Sequence, residues 1–244
     1  METSSASWYT GSNGLKPVLE VFQNMEMTAG YKSIDMDTWP RRECYDYYAT
    51  GSKCMCAISA DIDVSDLYRK TETLKKNFET AVLYVITSVL NRHEEFRVGY
   101  CKENGRLMIW DYINPVHRVF HEDTETFSRV WTKYDTDFTK FYAAARNSIK
   151  EGLKLKTVNQ PEIPDNNFEI SFIPWLHFSA INTKMSESGK YLAPVITAGK
   201  VEEINGKFMM PLTMQISHAV ADGFHIARAF NETAEEAKKL AAAL

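Results

Sequence analysis

The segment that most sharply limits the fold of this chain is 217–225, which reads Ser217-His218-Ala219-Val220-Ala221-Asp222-Gly223-Phe224-His225. It follows a β-rich run over residues 208–216 and precedes an amphipathic run over residues 223–240, which predict a strand and a helix. His218 therefore falls where the strand ends, and Asp222 is placed to cap the helix. Gly223 permits the tight turn into that helix. A strand-loop-helix unit of this kind is typical of an α/β domain.

A histidine at the end of a strand can serve chemistry, because loops at a sheet edge build sites and imidazole exchanges protons near neutral pH. His218 would then remove a proton from a hydroxyl group. The short spacing of His218, Asp222 and Gly223 describes a packing histidine beside a helix cap equally well. On these residues alone, a general base and a packing histidine remain open as alternatives.

The rest of the chain alternates helical and β-rich segments. Apolar residues recur at helical spacing from Leu74 to Val89, which predicts a long, largely buried helix. Asp135 is placed to cap another helix, which would end at Gly152. Further segments of strand type are residues 53–60, 96–101, 106–113, 168–179 and 191–200. Hairpin turns are predicted at Glu103-Asn104-Gly105 and Asn205-Gly206, and the whole pattern predicts one α/β domain with a mixed sheet.

The composition is that of a globular protein rather than a nucleic-acid-binding or membrane-spanning one. The 244 residues are 44% hydrophobic and 25% charged, which is ordinary for a chain that buries a core. The 28 Lys and Arg against 32 Asp and Glu give a net charge of −4, the opposite balance from most nucleic-acid binders. Since the chain has no run of 18 apolar residues, no transmembrane helix is predicted.

The cysteine content predicts a reducing compartment, and hence a cytoplasmic protein, because it is far below that of a disulfide-rich scaffold. The four cysteines are Cys44, Cys54, Cys56 and Cys101. Cys54 and Cys56 would share one face of a strand, but no second pair at zinc-ligand spacing follows. We therefore expect packing residues rather than a metal site, with one of the two thiols free to line a pocket.

The first thirty residues look appended to the domain. Residues 1–14 are rich in Ser, Thr and Gly and lack the basic residues of a signal peptide. We expect residues 1–30 to be an added leader or a disordered extension without chemistry, and residues 31–244 to form a single domain.

Several separated segments carry a resemblance to one enzyme family. They are Trp39-Pro40-Arg41-Arg42-Glu43 with Tyr47-Tyr48, Leu107-Met108-Ile109-Trp110-Asp111, Thr124-Glu125-Thr126-Phe127-Ser128, Ile170-Ser171-Phe172-Ile173-Pro174-Trp175, Ala193-Pro194-Val195-Ile196-Thr197 and 218–225. In this order, over about residues 31–239, they resemble the chloramphenicol acetyltransferase family. The resemblance implies a CoA-dependent acyltransferase-like fold, an α/β two-layer sandwich with a mixed β-sheet covered by helices. The signature is shared more loosely with the dihydrolipoyl acyltransferase cores.

The resemblance also implies roles for individual residues. His218 matches the family's general base, which would deprotonate the substrate hydroxyl as it attacks the thioester of acetyl-CoA. Ser171 matches the hydroxyl that donates to the developing oxyanion, and Thr197 matches one that reaches the same intermediate through water. Asp222 resembles an aspartate that pairs with Arg41 and fastens the loop carrying the base.

The same resemblance implies the substrates and the assembly. Tyr47, Tyr48, Phe127 and Cys54 match the lining of the acceptor pocket, and aromatic walls suit a nitrophenyl ring. The implied partners are chloramphenicol and the co-substrate acetyl-CoA, with no metal, nucleic acid or membrane. A homotrimer is implied as well, in which the base of one subunit faces the acceptor pocket of its neighbour. His218 and Tyr48 of one chain then need not touch each other.

The chain departs from the family pattern at a few positions. Ser217 stands where a histidine usually precedes the base, Ala221 replaces the usual cysteine, and Tyr47 stands where phenylalanine is common. The leading hypothesis is an acetyl-CoA-dependent O-acetyltransferase that inactivates chloramphenicol. The alternative is a non-catalytic or altered-substrate member, which acts as a binding or assembly module or acylates another hydroxyl or thiol.

Overall fold

The computed structural model describes residues 29–52, 54–102, 104–155, 157–158, 162–182 and 191–244. Most of the expected N-terminal extension lies outside these residues, as do Lys53 and Glu103, which were expected in a strand and in a hairpin turn. The last residue of the expected extension already belongs to the fold, because Gly30 O accepts a 2.9 Å hydrogen bond from Asp111 N. The domain boundary after residue 30 stays a prediction.

The described part of the chain contains five α-helices and ten β-strands. The helices are α1 (Arg42–Asp46), α2 (Ser65–Thr73), α3 (Phe78–Asn91), α4 (Phe138–Gly152) and α5 (Gly223–Ala243). A π-helical segment, Tyr47–Ser52, continues α1, and a 3-10 turn, Glu94–Arg97, follows α3. The strands are β1 (Tyr31–Ser33), β2 (Met55–Asp63), β3 (Val98–Tyr100), β4 (Leu107–Trp110), β5 (Asn114–His121), β6 (Thr126–Trp131), β7 (Asn167–Ile173), β8 (Val195–Gly199), β9 (Glu202–Ile204) and β10 (Lys207–Ser217).

The strands form a large mixed sheet and a small one. The large sheet has the order β2-β10-β8-β7-β5-β6, with β9 paired to β10, and the small sheet has the order β1-β4-β3. In the large sheet β7 runs parallel to both β5 and β8, whereas β10 is antiparallel to β2 and β8. The expected mixed sheet is therefore confirmed.

Helices cover one face of the large sheet and create the core. α3 packs against α4 and α5, and α5 also lies on β2. As predicted, α3 is largely buried, from Thr80 to Leu90. Ile196 belongs to this core, and since side chains alternate along a strand, its neighbour Thr197 lies on the opposite face. We call that face, which carries Ser171, Thr197 and Thr213, the distal face. The predicted two-layer α/β architecture is confirmed.

The long central helix begins later than its apolar pattern predicts. Leu74 follows α2 instead of starting α3, because Lys75 adopts a left-handed backbone with φ of 51° and separates the two helices. α3 then begins after Asn77, whose side chain accepts a 2.8 Å hydrogen bond from Thr80 N.

The cap of α4 is Asp137 rather than the predicted Asp135. Oδ1 of Asp137 accepts a 2.7 Å hydrogen bond from Thr139 N, whereas Asp135 accepts one from Asp137 N. The strand predicted over residues 168–179 stops at Ile173, just before Pro174, which has no N–H to continue the ladder.

The predicted hairpins are present, but the strands β1, β5, β6 and β9 were not predicted. β9 and β10 meet at Asn205 and Gly206, whose φ angles of 52° and 79° suit the tight hairpin turn. β5 and β6 escaped prediction because charged residues such as Arg118 and Arg129 interrupt their apolar pattern.

In the ranges that the structure describes, every helix is too short or too polar to cross a membrane.

Candidate active site

The segment 217–225 forms the loop between the longest strand of the sheet and the longest helix. β10 ends at Ser217, and the backbone N of His218 donates a 2.9 Å hydrogen bond to Cys54 O, which ties the loop to the start of β2. Asp222 caps α5 by accepting a 3.1 Å hydrogen bond from Phe224 N. His225 completes the cap, because its Nδ1 accepts a 3.2 Å hydrogen bond from Asp222 N and also lies 2.9 Å from Oδ1 of Asp222. The loop thus leaves the sheet with its backbone fixed at both ends.

Arg41 holds the same loop from outside. Its Nη1 donates to Oδ2 of Asp222 at 3.1 Å, its Nε to Ala219 O at 3.1 Å, and its Nη2 to His218 O at 3.0 Å. Partial burial alone would raise the pKa of Asp222, but the hydrogen bond from Arg41 and the neighbouring His225 outweigh it and lower that pKa. Asp222 is therefore an ionised anchor for the loop at neutral pH.

The His218 ring is held by stacking rather than by a carboxylate. It stacks on Tyr48 with ring centroids 4.0 Å apart and an interplanar angle of 19°. Its Nδ1 is buried and makes no hydrogen bond to any residue within the described ranges. Asp222 contacts Arg41 and His225 and so positions the loop rather than the imidazole. The expectation that His218 and Tyr48 of one chain need not touch is corrected, since the two rings are in contact.

Ser171 and Thr197 lie together on the distal face. They are directly opposite each other in the parallel pairing of β7 and β8, and Thr197 is opposite Thr213 on β10. Thr213 in turn shares a 2.6 Å hydrogen bond with Ser59 on β2. A row of hydroxyl groups therefore crosses the sheet at this level, with the half-buried Ser171 at its end.

The expected site residues fall into two groups that are far apart within one chain. We define the base group as Arg41, Tyr47, Tyr48, Cys54, His218 and Asp222, and the sheet group as Phe127, Ser171 and Thr197. Along β10, Thr213 marks the level of the sheet group and Ser217 the level of the base group. Four residues of strand span roughly 13 Å, and Ser171 lies two strands further across. His218 and Ser171 of the same chain are therefore too far apart to act on one carbonyl group.

Two aromatic members of these groups, Tyr47 and Phe127, are exposed to solvent. Tyr47 is 64% exposed and packs edge-on against Tyr48, with centroids 4.9 Å apart. Phe127 is 41% exposed, on β6 of the distal face opposite Phe120. A cavity of about 730 Å³ lies between Trp110 and residues 191–193, and no member of either group lines it. Among the residues that the structure describes, Tyr47 and Phe127 are thus left largely uncovered.

Neither cysteine chemistry nor metal binding is supported at the loop. Burial raises the pKa of the Cys56 thiol, and the charge of Asp222 adds to this, so that the thiol stays protonated. Over the described ranges, no three His, Cys, Asp or Glu side chains come together in a way that could hold a metal ion.

The profile of one protein family, described as "Chloramphenicol acetyltransferase", matches residues 29–234 of the chain. The chain belongs to the chloramphenicol acetyltransferase family. Among curated relatives, the chloramphenicol acetyltransferase of Clostridium butyricum is 35% identical over 206 residues, which are 84% of this chain and 94% of that protein. The one from Campylobacter coli is 36% identical over 203 residues, 83% of this chain and 96% of that protein.

Solved structures of the chloramphenicol acetyltransferase fold superpose on the chain. A chloramphenicol acetyltransferase matches with a TM-score of 0.77 at 21% identity and covers 86% of this chain and 100% of that chain. A dihydrolipoamide acetyltransferase of Azotobacter vinelandii matches with a TM-score of 0.60 at 14% identity, covering 77% and 83% of the two chains. The expected family and fold are confirmed, and so is the looser likeness in fold to the dihydrolipoyl acyltransferase cores.

One feature of this chloramphenicol acetyltransferase family member was not predicted from its sequence. On the distal face, Arg118 Nη1 lies 2.5 Å from Oε2 of Glu169, and Arg129 Nη2 contacts Oε1 of the same carboxylate. We call these three residues the Arg–Glu–Arg cluster. The signal in the sequence is weak. Each of the strands β5, β6 and β7 contributes one charged residue to the cluster, and only the fold brings the three strands together.

Proposed function

We propose that the chain is an acetyl-CoA-dependent O-acetyltransferase that acetylates a hydroxyl of chloramphenicol and so inactivates the antibiotic. The relatives named above carry this activity in their names. The observation that supports it best is the loop around His218. Arg41 fixes this loop with three hydrogen bonds, one of them to the carbonyl oxygen of His218 itself. A packing histidine would not need its own backbone held in this way.

In the proposed reaction, neutral His218 removes the proton from the acceptor hydroxyl as its oxygen attacks the thioester carbon of acetyl-CoA. The carbonyl oxygen becomes negative, and the Ser171 hydroxyl donates to it, which is worth about 3 kcal/mol of transition-state stabilisation. Thr197 supports the same oxygen through water. Collapse of the intermediate breaks the C–S bond, and the leaving thiolate takes the proton from His218. No side chain forms a covalent bond.

The two groups of site residues favour a site built from two copies of the chain. His218 and Ser171 cannot reach one carbonyl group within a chain, yet the reaction needs both. A ring of three subunits would place the base group of one against the sheet group of the next, because a head-to-tail interface can close into such a ring. We infer a homotrimer with three shared sites, in which Tyr47, Tyr48 and Cys54 from one subunit and Phe127 from its neighbour line the acceptor pocket.

The remaining inferences concern the setting of the reaction. We infer a cytoplasmic enzyme, where acetyl-CoA is available and the free thiols of the four cysteines persist. The catalytic unit is residues 31–244.

The test is thiol release from acetyl-CoA by the purified chain, with and without chloramphenicol. We expect release only when chloramphenicol is present, and none from His218→Ala in the same assay. Without acceptor-dependent thiol at saturating substrates, chloramphenicol is not the acceptor. Release with another hydroxyl compound or a thiol supports the altered-substrate alternative, and no release with any acceptor supports the binding or assembly module.

A further inference from the structure

The Arg–Glu–Arg cluster lies directly beside the proposed oxyanion donor. Arg118 and Arg129 face each other across β5 and β6, and both reach over to Glu169 on β7. Glu169 precedes Ser171 by two residues on the same face, a spacing of roughly 7 Å. Arg118 Nη1 also lies 3.3 Å from Ile170 O, so its guanidinium is next to Ser171. A group bound by the cluster would be within one small molecule's length of the reacting oxygen.

The cluster has a surplus positive charge and unused donors. Two guanidinium groups share one carboxylate, which leaves a net charge of +1. The contacts to Glu169 engage only Nη1 of Arg118 and Nη2 of Arg129. Nε of Arg129 is buried without a hydrogen-bond partner in the part of the chain that the structure describes. An arginine fork of this kind matches the two oxygens of a carboxylate.

The exposure of the three side chains suits ligand binding better than stabilisation. Those of Arg118 and Arg129 are 27% and 29% exposed, whereas that of Glu169 is 10% exposed. The nearly buried Glu169 thus contacts both arginines, and both arginines remain accessible from the distal face. Partly buried ion clusters contribute little net stability, because desolvation offsets the attraction between the charges. Stability therefore does not explain three charges beside exposed aromatic residues such as Phe127.

We propose that the Arg–Glu–Arg cluster is an acceptor subsite that binds a carboxylate carried by the acceptor, so that the enzyme prefers anionic acceptors over neutral ones. This inference rests on the proposed function, since it concerns the acceptor of the same acetyl transfer. Phe127 lies two residues from Arg129 on the same face of β6, so an aromatic ring packed on Phe127 would direct a ring substituent toward the arginines.

The test measures binding separately from turnover, by titration calorimetry on the full chain. Three compounds with the same aminodiol are compared: chloramphenicol, its analogue with a para-carboxylate in place of the nitro group, and the methyl ester of that analogue. Nitro and carboxylate groups have similar planar shapes and differ in charge. We expect the carboxylate to bind at least tenfold more tightly than either neutral compound.

Variants connect this preference to the cluster. Arg129→Met removes the surplus charge and should abolish the preference, whereas Glu169→Gln increases the charge and should widen it. Arg129→Lys should retain part of it if Arg129→Met folds poorly. Lys140→Met, on the exposed surface of α4, is the control for net charge and should leave the preference unchanged.

Three results would overturn the subsite. They are equal or absent binding of the carboxylate by the wild type, a preference that survives Arg129→Met, and a preference lost equally in Lys140→Met. If sedimentation shows that Arg129→Met alters only the oligomeric state while the preference persists, the cluster is a subunit contact instead. Carboxylate binding without acetyl transfer to any acceptor would contradict the proposed function and leave the subsite standing.

Discussion

At the scale of residues, the proposed base His218 is distinct from the residues that hold its loop. The imidazole is held by stacking on Tyr48, and its Nδ1 meets no carboxylate in the described residues. Asp222 and Arg41 do not contact the ring but hold the backbone of the loop that carries it. The resemblance to the family made these assignments possible from the sequence, because each residue sits inside a matching motif. The Arg–Glu–Arg cluster could not be found that way, since its members belong to three strands and only the sheet register joins them.

Replacing the base and replacing its support should have different effects. His218→Ala is expected to abolish turnover and change the free energy of unfolding by no more than about 1 kcal/mol, because the lost stacking on Tyr48 is offset by removal of a buried Nδ1 that makes no hydrogen bond in the described residues. Arg41→Ala should lose activity and about 2–3 kcal/mol of stability, because three hydrogen bonds to the loop disappear and the Asp222 carboxylate loses its arginine partner. This loss of stability is smaller than that for breaking a fully buried ion pair, since Asp222 is one-third exposed.

Urea unfolding and thiol release measure these two effects. Arg42→Ala is the matched control, because Arg42 is the next residue and its ion pairs within the described ranges are exposed and worth at most about 1 kcal/mol. Appreciable activity in His218→Ala, or full stability in Arg41→Ala, would refute the division between base and support.

Ser171 should act on the transition state and not on folding. Ser171→Ala is expected to lower kcat by about a hundredfold or more with little change in KM, because its hydroxyl donates only to the oxyanion. Thr197→Ala should cost less, since its contact passes through water. Steady-state kinetics at several chloramphenicol concentrations distinguish the two parameters. A change confined to KM would mean that Ser171 binds the acceptor instead.

At the scale of elements, the sequence predicted which segments are helices or strands better than where they end. The hairpin at Asn205 and Gly206 was predictable, because these residue types favour the positive φ angles that the turn needs. The start of α3 was not, because the apolar period runs through Leu74 without a break. The break is set by the left-handed backbone at Lys75, a conformation that cannot be predicted from a lysine.

The junction of β2 and α2 supplies a prediction on pH. Hydrogen bonds from the Ser65 side chain and backbone, together with the Lys207 ammonium, lower the pKa of Asp63 to about 2, despite the opposing effect of burial. A carboxylate with a depressed pKa stabilises the fold above its unfolded pKa, near 4, and loses this contribution as the pH falls through about 2.

Asp63→Asn should therefore be less stable than the wild type at pH 7, and the difference should shrink from pH 4 downward and be smallest near pH 2. Urea unfolding across this range measures it, with Asp66→Asn as the control, because Asp66 is an exposed carboxylate in the first turn of α2. A difference independent of pH would show that Asp63 stabilises the junction through packing rather than through its charge.

At the scale of the whole molecule, one chain contains the two groups of expected site residues but does not bring them together. The base group lies at the end of β10, and the sheet group lies on the distal face of β6, β7 and β8. The resemblance implied a shared site, but it divided the residues differently from the structure, because Tyr48 stacks on His218 in the same chain. Each complete site would therefore pair His218 and Tyr48 of one subunit with Ser171 and Thr197 of the next.

Mixing two inactive variants tests this account most directly. His218→Ala and Ser171→Ala chains are unfolded together, refolded, and assayed for chloramphenicol-dependent thiol release, with hybrid trimers verified by sedimentation and mass spectrometry. About one-quarter of the sites should regain both groups. A site needs an intact His218 from one subunit and an intact Ser171 from the next, and in an equal mixture each is present with a chance of one-half. In the matched mixture of His218→Ala with Arg41→Ala, both chains carry a defect in the base group, so every site lacks an intact base group and the mixture should stay inactive. Activity near one-quarter of wild type in the first mixture only is the predicted result. Verified hybrids without activity, or a monomer, would contradict the shared acetyltransferase site.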